Sequence, residues 1–284
     1  MKSETLAPTG LARRGRRLSD QETEQRMLRA AVAMVSRTGL TVSLDHISFE
    51  DVIRDADVSR SAVYRRWPYK DLFFSDLVKQ LAKDATPTIV DDELQLMKAI
   101  VAEHQDWLET AELRDRLLLE MFRQLSLLDF QVMYDSPAWR TYLALHATFM
   151  SLADGALRDQ VQAALAESER AHNTRIAQAW RQATKLFGYR LRPGSGVTFE
   201  AMATLLSATM RGLVVMALST PDLAARRVEA SPFGAAATDE WSLPALGLTA
   251  IAAAFLEPDP AIGWDAARVA ATRQALAALA VPDA

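Results

Sequence analysis

The chain has 284 residues, half of them hydrophobic, with a formal net charge of -4 and no cysteine. This composition excludes an intrinsically disordered chain and allows either one large domain or a small domain joined to a larger one. The lack of cysteine excludes disulfide frameworks, thiolate zinc sites and thiol redox switches.

The charge is distributed unevenly. Residues 1–85 carry 15 Lys/Arg and 12 Asp/Glu, a net charge of +3, whereas the remaining residues carry 17 and 24, a net charge of -7. A weakly basic N-terminal region on an acidic body favours contact of that region alone with a polyanion. The N-terminus lacks the apolar core of a secretory signal, and the apolar runs 213–218 and 251–256 are too short to span a bilayer. We therefore expect a cytoplasmic protein that does not contact membranes.

Helical periodicity dominates the sequence and no stretch alternates convincingly with period two, so the predicted fold is all-α. After a disordered basic arm at 1–18, a capping box from Ser19 to Glu22 starts the first helix, which ends at Gly39. Ser48 caps a second, short helix. Ser59 caps a third, which must end before Pro68, and a fourth helix covers about 69–85.

The remainder of the chain predicts longer helices separated by Pro- and Gly-rich breakers. Their predicted ranges are 92–109, 112–129, 138–153, 155–187, 198–219, 240–256 and 264–280. The stretch 221–244 contains three prolines and is predicted to be a long, partly mobile loop. The predicted domains are accordingly a small domain of short helices at 19–85 and a larger helical domain at 86–284.

The second and third helices form a predicted helix-turn-helix. A tight turn at Asp57 and Val58 joins them, and the third helix is basic. Val63 and Trp67 lie four residues apart and are predicted to face the core. The three arginines of this helix then point outward, and no acidic residue lies between Val58 and Trp67. Such a surface suits phosphates and the edges of guanine bases, so 19–85 is predicted to be a three-helix DNA-binding domain.

The run 56–72 resembles the signature of the TetR family of bacterial regulators. The matching positions are Ala56, Val58, Ser59, Tyr64, Lys70 and Leu72, with Trp67 and Asp71 as conservative replacements. The resemblance covers about residues 22–80 and extends to the rest only as an all-helical body of suitable length. Asp57 departs from the usual glycine at a turn position that can require positive φ, which aspartate tolerates. Ser61 and Ala62 replace the usual Gly-Thr pair, so no operator sequence can be carried over.

By this resemblance, Tyr64 and Lys70 would bind backbone phosphates of an operator in double-stranded DNA, helped by the amides that start the fourth helix. The predicted base-edge contacts, and the caps that complete the DNA-contacting set, are Arg60, Ser61, Ala62, Arg65, Ser48 and Ser59. Arg16 and Arg17 of the arm would lie in an adjacent minor groove. The alternatives are that Tyr64 is an aromatic residue at the edge of the core, that the arginines only solvate the surface, and that the arm is a solubilising tail.

A symmetric operator requires two recognition helices and hence a homodimer. In TetR-like proteins two C-terminal helices of each subunit form a four-helix interface, which points to 198–219 and 240–256 here. The predicted interface residues are Leu205, Thr209, Gly212, Leu213, Met216, Leu246, Ala250 and Ala253. The alternative is that both segments are ordinary core helices.

The resemblance also implies an effector pocket in the body, with ligand-induced release of a repressor from a palindromic operator. Several body helices carry aromatic and methionine stripes, which more often form core than a ligand site. The predicted contacts to a small apolar or aromatic effector are His104, Trp107, Phe122, Tyr142, His146 and Trp180. No cofactor or metal is expected.

Two other classes of function remain as alternatives. An enzyme is disfavoured because the acidic run 91–93 is explained by a helix dipole, and Gly194-Ser195-Gly196 lacks the spacing of a nucleophile elbow. A helical interaction protein, or an activator, with a degenerate or effector-independent DNA-binding head is the second alternative.

Overall fold

The computed structural model describes residues 18–39, 47–84, 91–235 and 237–278. Its α-helices are α1 (Asp20–Thr38), α2 (Phe49–Asp55), α3 (Arg60–Arg66), α4 (Lys70–Asp84), α5 (Asp91–Glu103), α6 (Ala111–Asp135), α7 (Pro137–Ser151), α8 (Ala156–Phe187), α9 (Phe199–Ser219), α10 (Asp222–Ala225), α11 (Leu243–Phe255) and α12 (Ala266–Ala278). Two 3₁₀ helices cover Gln105–Leu108 and Pro232–Gly234, and the strands are β1 (Tyr189–Leu191), β2 (Arg227–Ala230), β3 (Asp239–Ser242) and β4 (Leu256–Pro258). The predicted all-α class is therefore confirmed.

Helices α1 to α4 form a unit that we call the head. Ser19 and Glu22 make the predicted capping box at the start of α1, with Ser19 Oγ accepting from the Glu22 amide at 3.1 Å. The side chains that share the head core come from all four helices, because each has a narrow apolar stripe that only the others can cover. The fully buried members are Met27, Val35, Val52, Val63, Trp67, Phe73 and Leu77. In α4, Phe73 is fully buried, whereas its neighbour Phe74 is only partly buried against the same core.

The elements from α5 to α12 form the body. Helix α8 is the longest, and it packs on the head through α4 and on the body through α9. Helix α9 is also packed against α11 and α6, so its buried side lies in the centre of the body. The residues on that side are Met202, Ala203, Leu206, Ser207, Met210, Val214 and Ala217. The head and the body share one apolar cluster, in which Val161 and Leu165 of α8 contact the core of the head.

The prediction of a partly mobile loop over 221–244 is wrong. Helix α10, strands β2 and β3 and a 3₁₀ helix occupy the described part of this stretch, and β2 pairs antiparallel with β3 from Arg227↔Ser242 to Ala230↔Asp239. Trp241 anchors the hairpin because its side chain is 1% exposed. A second short ribbon pairs β1 with β4. Strands of three or four residues are too short to produce a recognisable period-two pattern.

Helix boundaries in the body differ from the predictions by several residues in three places. Helix α6 continues to Asp135, six residues beyond its predicted end, because its sequence keeps a helical apolar stripe through Met133. Helix α5 ends at Glu103 and a 3₁₀ helix follows it. Helix α11 begins at Leu243 because Ser242 caps it, its Oγ accepting from the Ala245 amide at 3.2 Å.

Candidate nucleic-acid interface and body cavity

The helix-turn-helix has the predicted local chemistry. Ser48 Oγ accepts from the Asp51 amide at 3.3 Å and starts α2, and Ser59 Oγ accepts from the Ala62 amide at 3.4 Å and starts α3. Between them Asp57 has a φ of 51°, in the left-handed region. Asp57, which stands where the TetR-like signature usually has glycine, therefore has a positive φ. Aspartate tolerates this conformation better than most residues.

Helix α3 has one buried side and one exposed side. Val63 and Trp67 are fully buried, and the Trp67 indole Nε1 donates to Asp76 Oδ2 at 2.9 Å. The Trp67 ring meets that of Phe73 edge-on, with 5.1 Å between centroids. Four of the predicted DNA-contacting residues of this helix are exposed: Arg60, Ser61, Tyr64 and Arg65. The fifth, Ala62, is half-buried. The core contacts therefore fix which side of α3 faces solvent.

Acidic residues from other helices pair with the exposed side chains of α3. Arg60 Nη2 lies 2.8 Å from Glu50 Oε2, and the Tyr64 hydroxyl donates to Glu50 Oε1 at 3.1 Å. This hydrogen bond raises the pKa of Tyr64 above its usual value. Arg65 forms an ion pair with Asp20. The sequence analysis missed Glu50 and Asp20 because it looked for acids within the helix, whereas these belong to the first turns of α2 and α1.

Arg66 and Lys70 differ in their surroundings. Arg66 pairs with Glu24 at 2.9 Å and with Asp76 at 3.3 Å, so it ties α3 to α1 and α4. Burial alone would raise the pKa of Asp76, but hydrogen bonds from Lys79 and Trp67 hold it below its usual value. Lys70 is exposed in the first turn of α4, and no ion pair within the described ranges involves it. Arg16 and Arg17 lie outside the described residues.

The predicted dimer-interface residues lie on neighbouring sides of α9 and α11. Leu205, Gly212, Met216, Ala250 and Ala253 are exposed, whereas Thr209, Leu213 and Leu246 are half-buried between the two helices. Helix α9 is the one helix in the described part of the chain that is long and apolar enough to cross a membrane by length and composition alone. Because α9 lies in the centre of the body, the apolar residues on its buried side belong to the core. The exposed apolar residues on its other side have no partner helix in the described part of the chain.

Gly212 makes no close approach within the chain, since a Cβ there would meet nothing within 4 Å. It is Gly247 that brings α9 and α11 together, because a Cβ at Gly247 would lie 3.2 Å from Thr209 Cγ2. Any close approach at Gly212 therefore requires a second chain.

The body contains a partly open cavity of about 440 Å³, lined mainly by α5, α6, α8, α9 and α11. Phe122 and Trp180, both among the predicted effector contacts, lie in its wall with their rings stacked at 5.4 Å between centroids. The rest of the apolar wall includes four methionines, which adapt to irregular ligand shapes. They are Met97, Met121, Met133 and Met210.

The other four predicted effector contacts do not line this cavity. The His104 and Trp107 rings stack on one another at 3.8 Å, beside the 3₁₀ helix after α5. Tyr142 is buried behind the cavity wall, where its hydroxyl donates to Glu169. His146 Nδ1 lies 3.0 Å from the Tyr142 carbonyl oxygen of the preceding turn. These four residues therefore pack between helices, in agreement with the alternative prediction that aromatic stripes form core.

Two carboxyl groups that the sequence analysis did not assign to a site lie in the cavity wall. Desolvation, together with the charge of Asp129, raises the pKa of Glu93 to about 8, and desolvation raises the pKa of Asp129 to about 6. Glu93 belongs to the run interpreted as a helix-dipole feature. For Asp129 a signal exists in the sequence: it continues the apolar stripe of Phe122, Ser126 and Met133 on α6.

A second polar group of the wall centres on Arg211. Its Nη1 contacts both carboxylate oxygens of Glu169 at 2.8 Å. His172 lies beside this pair, and desolvation, followed by the charge of Arg211, lowers its pKa to about 4. Arg211 Nε and Nη2 and the indole Nε1 of Trp139 are fully buried, and no residue in the described ranges accepts a hydrogen bond from them. The cavity thus combines an apolar surface with a few charged groups, as ligand sites commonly do.

No protein-family model matches the chain, and no curated protein does. Solved structures that are similar to it include a protein from Mesorhizobium loti described as a TetR-family transcriptional regulator, with 15% identity, a TM-score of 0.45 and coverage of 84% of this chain and 98% of that one. SmeT, in complex with triclosan, has 17% identity, a TM-score of 0.40 and coverage of 85% and 94%; it is described as the repressor of the Stenotrophomonas maltophilia multidrug efflux pump SmeDEF. TylP, a TetR regulator from Streptomyces fradiae, has 13% identity, a TM-score of 0.38 and coverage of 91% of each chain.

At sequence identities this low, neither the operator nor the ligand of these proteins can be assigned to this chain. The chain nevertheless has the two features that the sequence resemblance implies, a helix-turn-helix in an N-terminal helical head and an all-helical body behind it. Both features agree with the TetR-like signature of the run 56–72.

Proposed function

We propose that the chain is a DNA-binding transcriptional regulator whose helix α3 enters the major groove of an operator. The observation that carries this proposal is the exposed polar row on α3, Arg60, Ser61, Tyr64 and Arg65, held outward by the buried Val63 and Trp67. A short helix with this orientation, presented by a preceding helix and a tight turn, suits reading of base edges. Bacterial regulators of this kind act in the cytoplasm.

The DNA contacts divide into two kinds. Tyr64 and Lys70 are suited to backbone phosphates, because both side chains are exposed and Lys70 belongs to the first turn of α4, where the amides of the helix start also favour an anion. Arg60, Ser61 and Arg65 are suited to base edges. Ser48, Ser59 and Ala62 contribute mainly by setting the starts of α2 and α3, where approach to the DNA is closest.

A second copy of the chain is the proposed occupant of the exposed sides of α9 and α11. The exposed fractions there are 45% for Leu205, 51% for Val215 and 53% for Met216, and small alanines face solvent on α11. These residues recur at helical spacing on two adjacent helices, so they form a continuous apolar surface. A homodimer would bury that surface and set two α3 helices on successive major grooves.

The cavity in the body supports effector control of this regulator. A ligand that binds one body conformation better than another would shift the spacing of the two heads, by no more than its differential affinity. The repressor role, with release from a palindromic operator, comes from the family resemblance. An activator or an interaction protein is the alternative, and measurement of DNA affinity and transcription with and without ligand distinguishes them.

Substitutions of Arg65 and Tyr64 test the recognition helix. We expect Arg65→Ala to weaken binding to DNA from the gene's own upstream region by about tenfold to a hundredfold, the usual cost of losing an arginine contact to a base edge. Tyr64→Phe, which removes one uncharged hydroxyl, should weaken it less and leave the salt dependence unchanged, because counterion release follows the cationic contacts. Both are read by fluorescence anisotropy. Because the Arg65–Asp20 pair is exposed, the head should stay folded. Unchanged affinity in both variants would contradict the placement of α3 in the groove.

Removal of the Glu50 charge should strengthen DNA binding. Glu50 occupies Arg60 and the Tyr64 hydroxyl in the free chain and would repel a phosphate at the same place. We expect Glu50→Gln to lower the Kd for DNA by about threefold to tenfold, with the gain lost at high salt. Glu109→Gln, the same change of charge in the body, serves as the control and should have no effect. Weaker binding by Glu50→Gln would show instead that this pair must persist on DNA.

A further inference from the structure

We propose that the cavity binds a hydrophobic organic cation whose positive charge is held by Glu93 and Asp129. This inference rests on the proposed function, because it identifies the chemical class of the effector. It concerns the cavity alone, so it can be tested without DNA.

The shape and lining of the cavity suit an aromatic or bulky apolar ligand. A volume of about 440 Å³ lies in the range of small-molecule sites. The stacked Phe122 and Trp180 provide flat aromatic surface, and Trp139 and the methionines add further polarisable groups. Aromatic faces also attract a cation, most strongly where water is excluded.

The two carboxyl groups lack a counterion within the chain. In the described ranges neither Glu93 nor Asp129 takes part in a hydrogen bond or an ion pair, and each influence on their pKa values raises it. Two cationic side chains line the same cavity, and neither forms an ion pair with these carboxyl groups. Arg211 forms an ion pair with Glu169, and Arg175 is exposed to solvent. Buried charges in proteins are normally paired, so a cationic ligand would supply what this wall lacks.

Affinity for such a ligand should depend on pH with a definite sign. Both carboxyl groups are neutral at low pH and gain negative charge as the pH rises through about 6 and about 8, so a cation should bind more tightly at the higher pH. The other titratable and charged groups in the wall are His172 and Arg175 on α8, Arg211 on α9 and Tyr189 on β1. His172 has a pKa of about 4 and the pKa of Tyr189 is raised, so neither changes charge between pH 6 and pH 8.

The test is calorimetric titration of the full chain with two probes of similar size, the naphthylmethyl-trimethylammonium cation and the naphthylacetate anion. The quaternary cation cannot titrate, so any pH dependence belongs to the protein. We expect the cation to bind about tenfold more tightly than the anion at pH 8, with an affinity that falls by a similar factor at pH 6. The double variant Glu93→Gln with Asp129→Asn should lose both effects, whereas Glu109→Gln should keep them.

Three results would overturn the proposal: no binding of the cation, equal or tighter binding of the anion, or unchanged cation affinity in the double variant. A thermal melt establishes that the double variant is folded, which is expected because both substitutions remove a desolvated charge. DNA titration of the same preparation separates the two proposals. Cation binding without sequence-specific DNA binding would reject the regulator and keep the ligand class, and the reverse result would reject the ligand class alone.

Discussion

Trp67→Ala is expected to destabilise the head by about 3–5 kcal/mol and to abolish DNA binding at the temperatures where the wild type binds. The Trp67 side chain is fully buried, packs edge-on against Phe73 and donates its indole N–H to Asp76. Its removal leaves a large cavity next to α3 and breaks a link between α3 and α4. Because domains are stable by only about 5–15 kcal/mol, this loss is a large part of the total.

Urea denaturation followed by circular dichroism measures the change in the free energy of unfolding. Trp67→Phe is the matched control: it keeps an aromatic ring against Phe73 and loses the hydrogen bond to Asp76 and the volume of the second ring, at a smaller cost of about 1–3 kcal/mol. Wild-type stability in Trp67→Ala would contradict the position of this residue in the core of the head, and with it the outward orientation of the polar side of α3.

The second large effect is expected at the proposed dimer interface. The double variant Leu205→Asp with Met216→Asp places two charges per chain in the exposed apolar side of α9, where both residues are about half exposed. Unpaired carboxylates buried between two copies would be strongly unfavourable. We expect a monomer, and affinity for a two-half-site operator that is lower by about a hundredfold, because the second head no longer binds intramolecularly.

Light scattering after gel filtration measures the mass, and anisotropy measures DNA affinity. Met150→Asp is the control for oligomeric state: Met150 is 76% exposed on α7, outside the proposed interface, and the variant should keep the wild-type mass. A dimer that survives the double substitution would show that other residues join the subunits.

The head could be predicted almost completely from the sequence because chemical signals mark its boundaries. Serine caps start α1, α2 and α3. Helix α3 must end before Pro68, and Asp57 tolerates the positive φ of the turn. These are local effects, settled within a few residues along the chain. The body has fewer such signals, so α6 was predicted six residues too short and the β2–β3 hairpin was missed.

The candidate site was predictable only where a residue's role depends on its own helix. The exposed row of α3 follows from the buried positions of Val63 and Trp67, but the acids that pair with it come from helices remote in sequence. In the body, a stripe identifies the packed sides of a helix without indicating which neighbour it meets. Phe122 and Trp180 thus lie at the cavity, whereas His104 and Tyr142 lie elsewhere. Glu93 and Asp129 gain their altered pKa values only from burial in the folded chain.

The central claim, that α3 reads a symmetric DNA sequence, is tested most directly by selection of binding sites from a random pool of DNA duplexes with the full chain. We expect enrichment of an inverted repeat that the chain binds about a thousandfold more tightly than unselected DNA at physiological salt. The centres of its half-sites should lie about one helical turn apart or a multiple of it, as two α3 helices in a dimer require. A pool that remains unenriched, or an enriched sequence without two-fold symmetry, would contradict it.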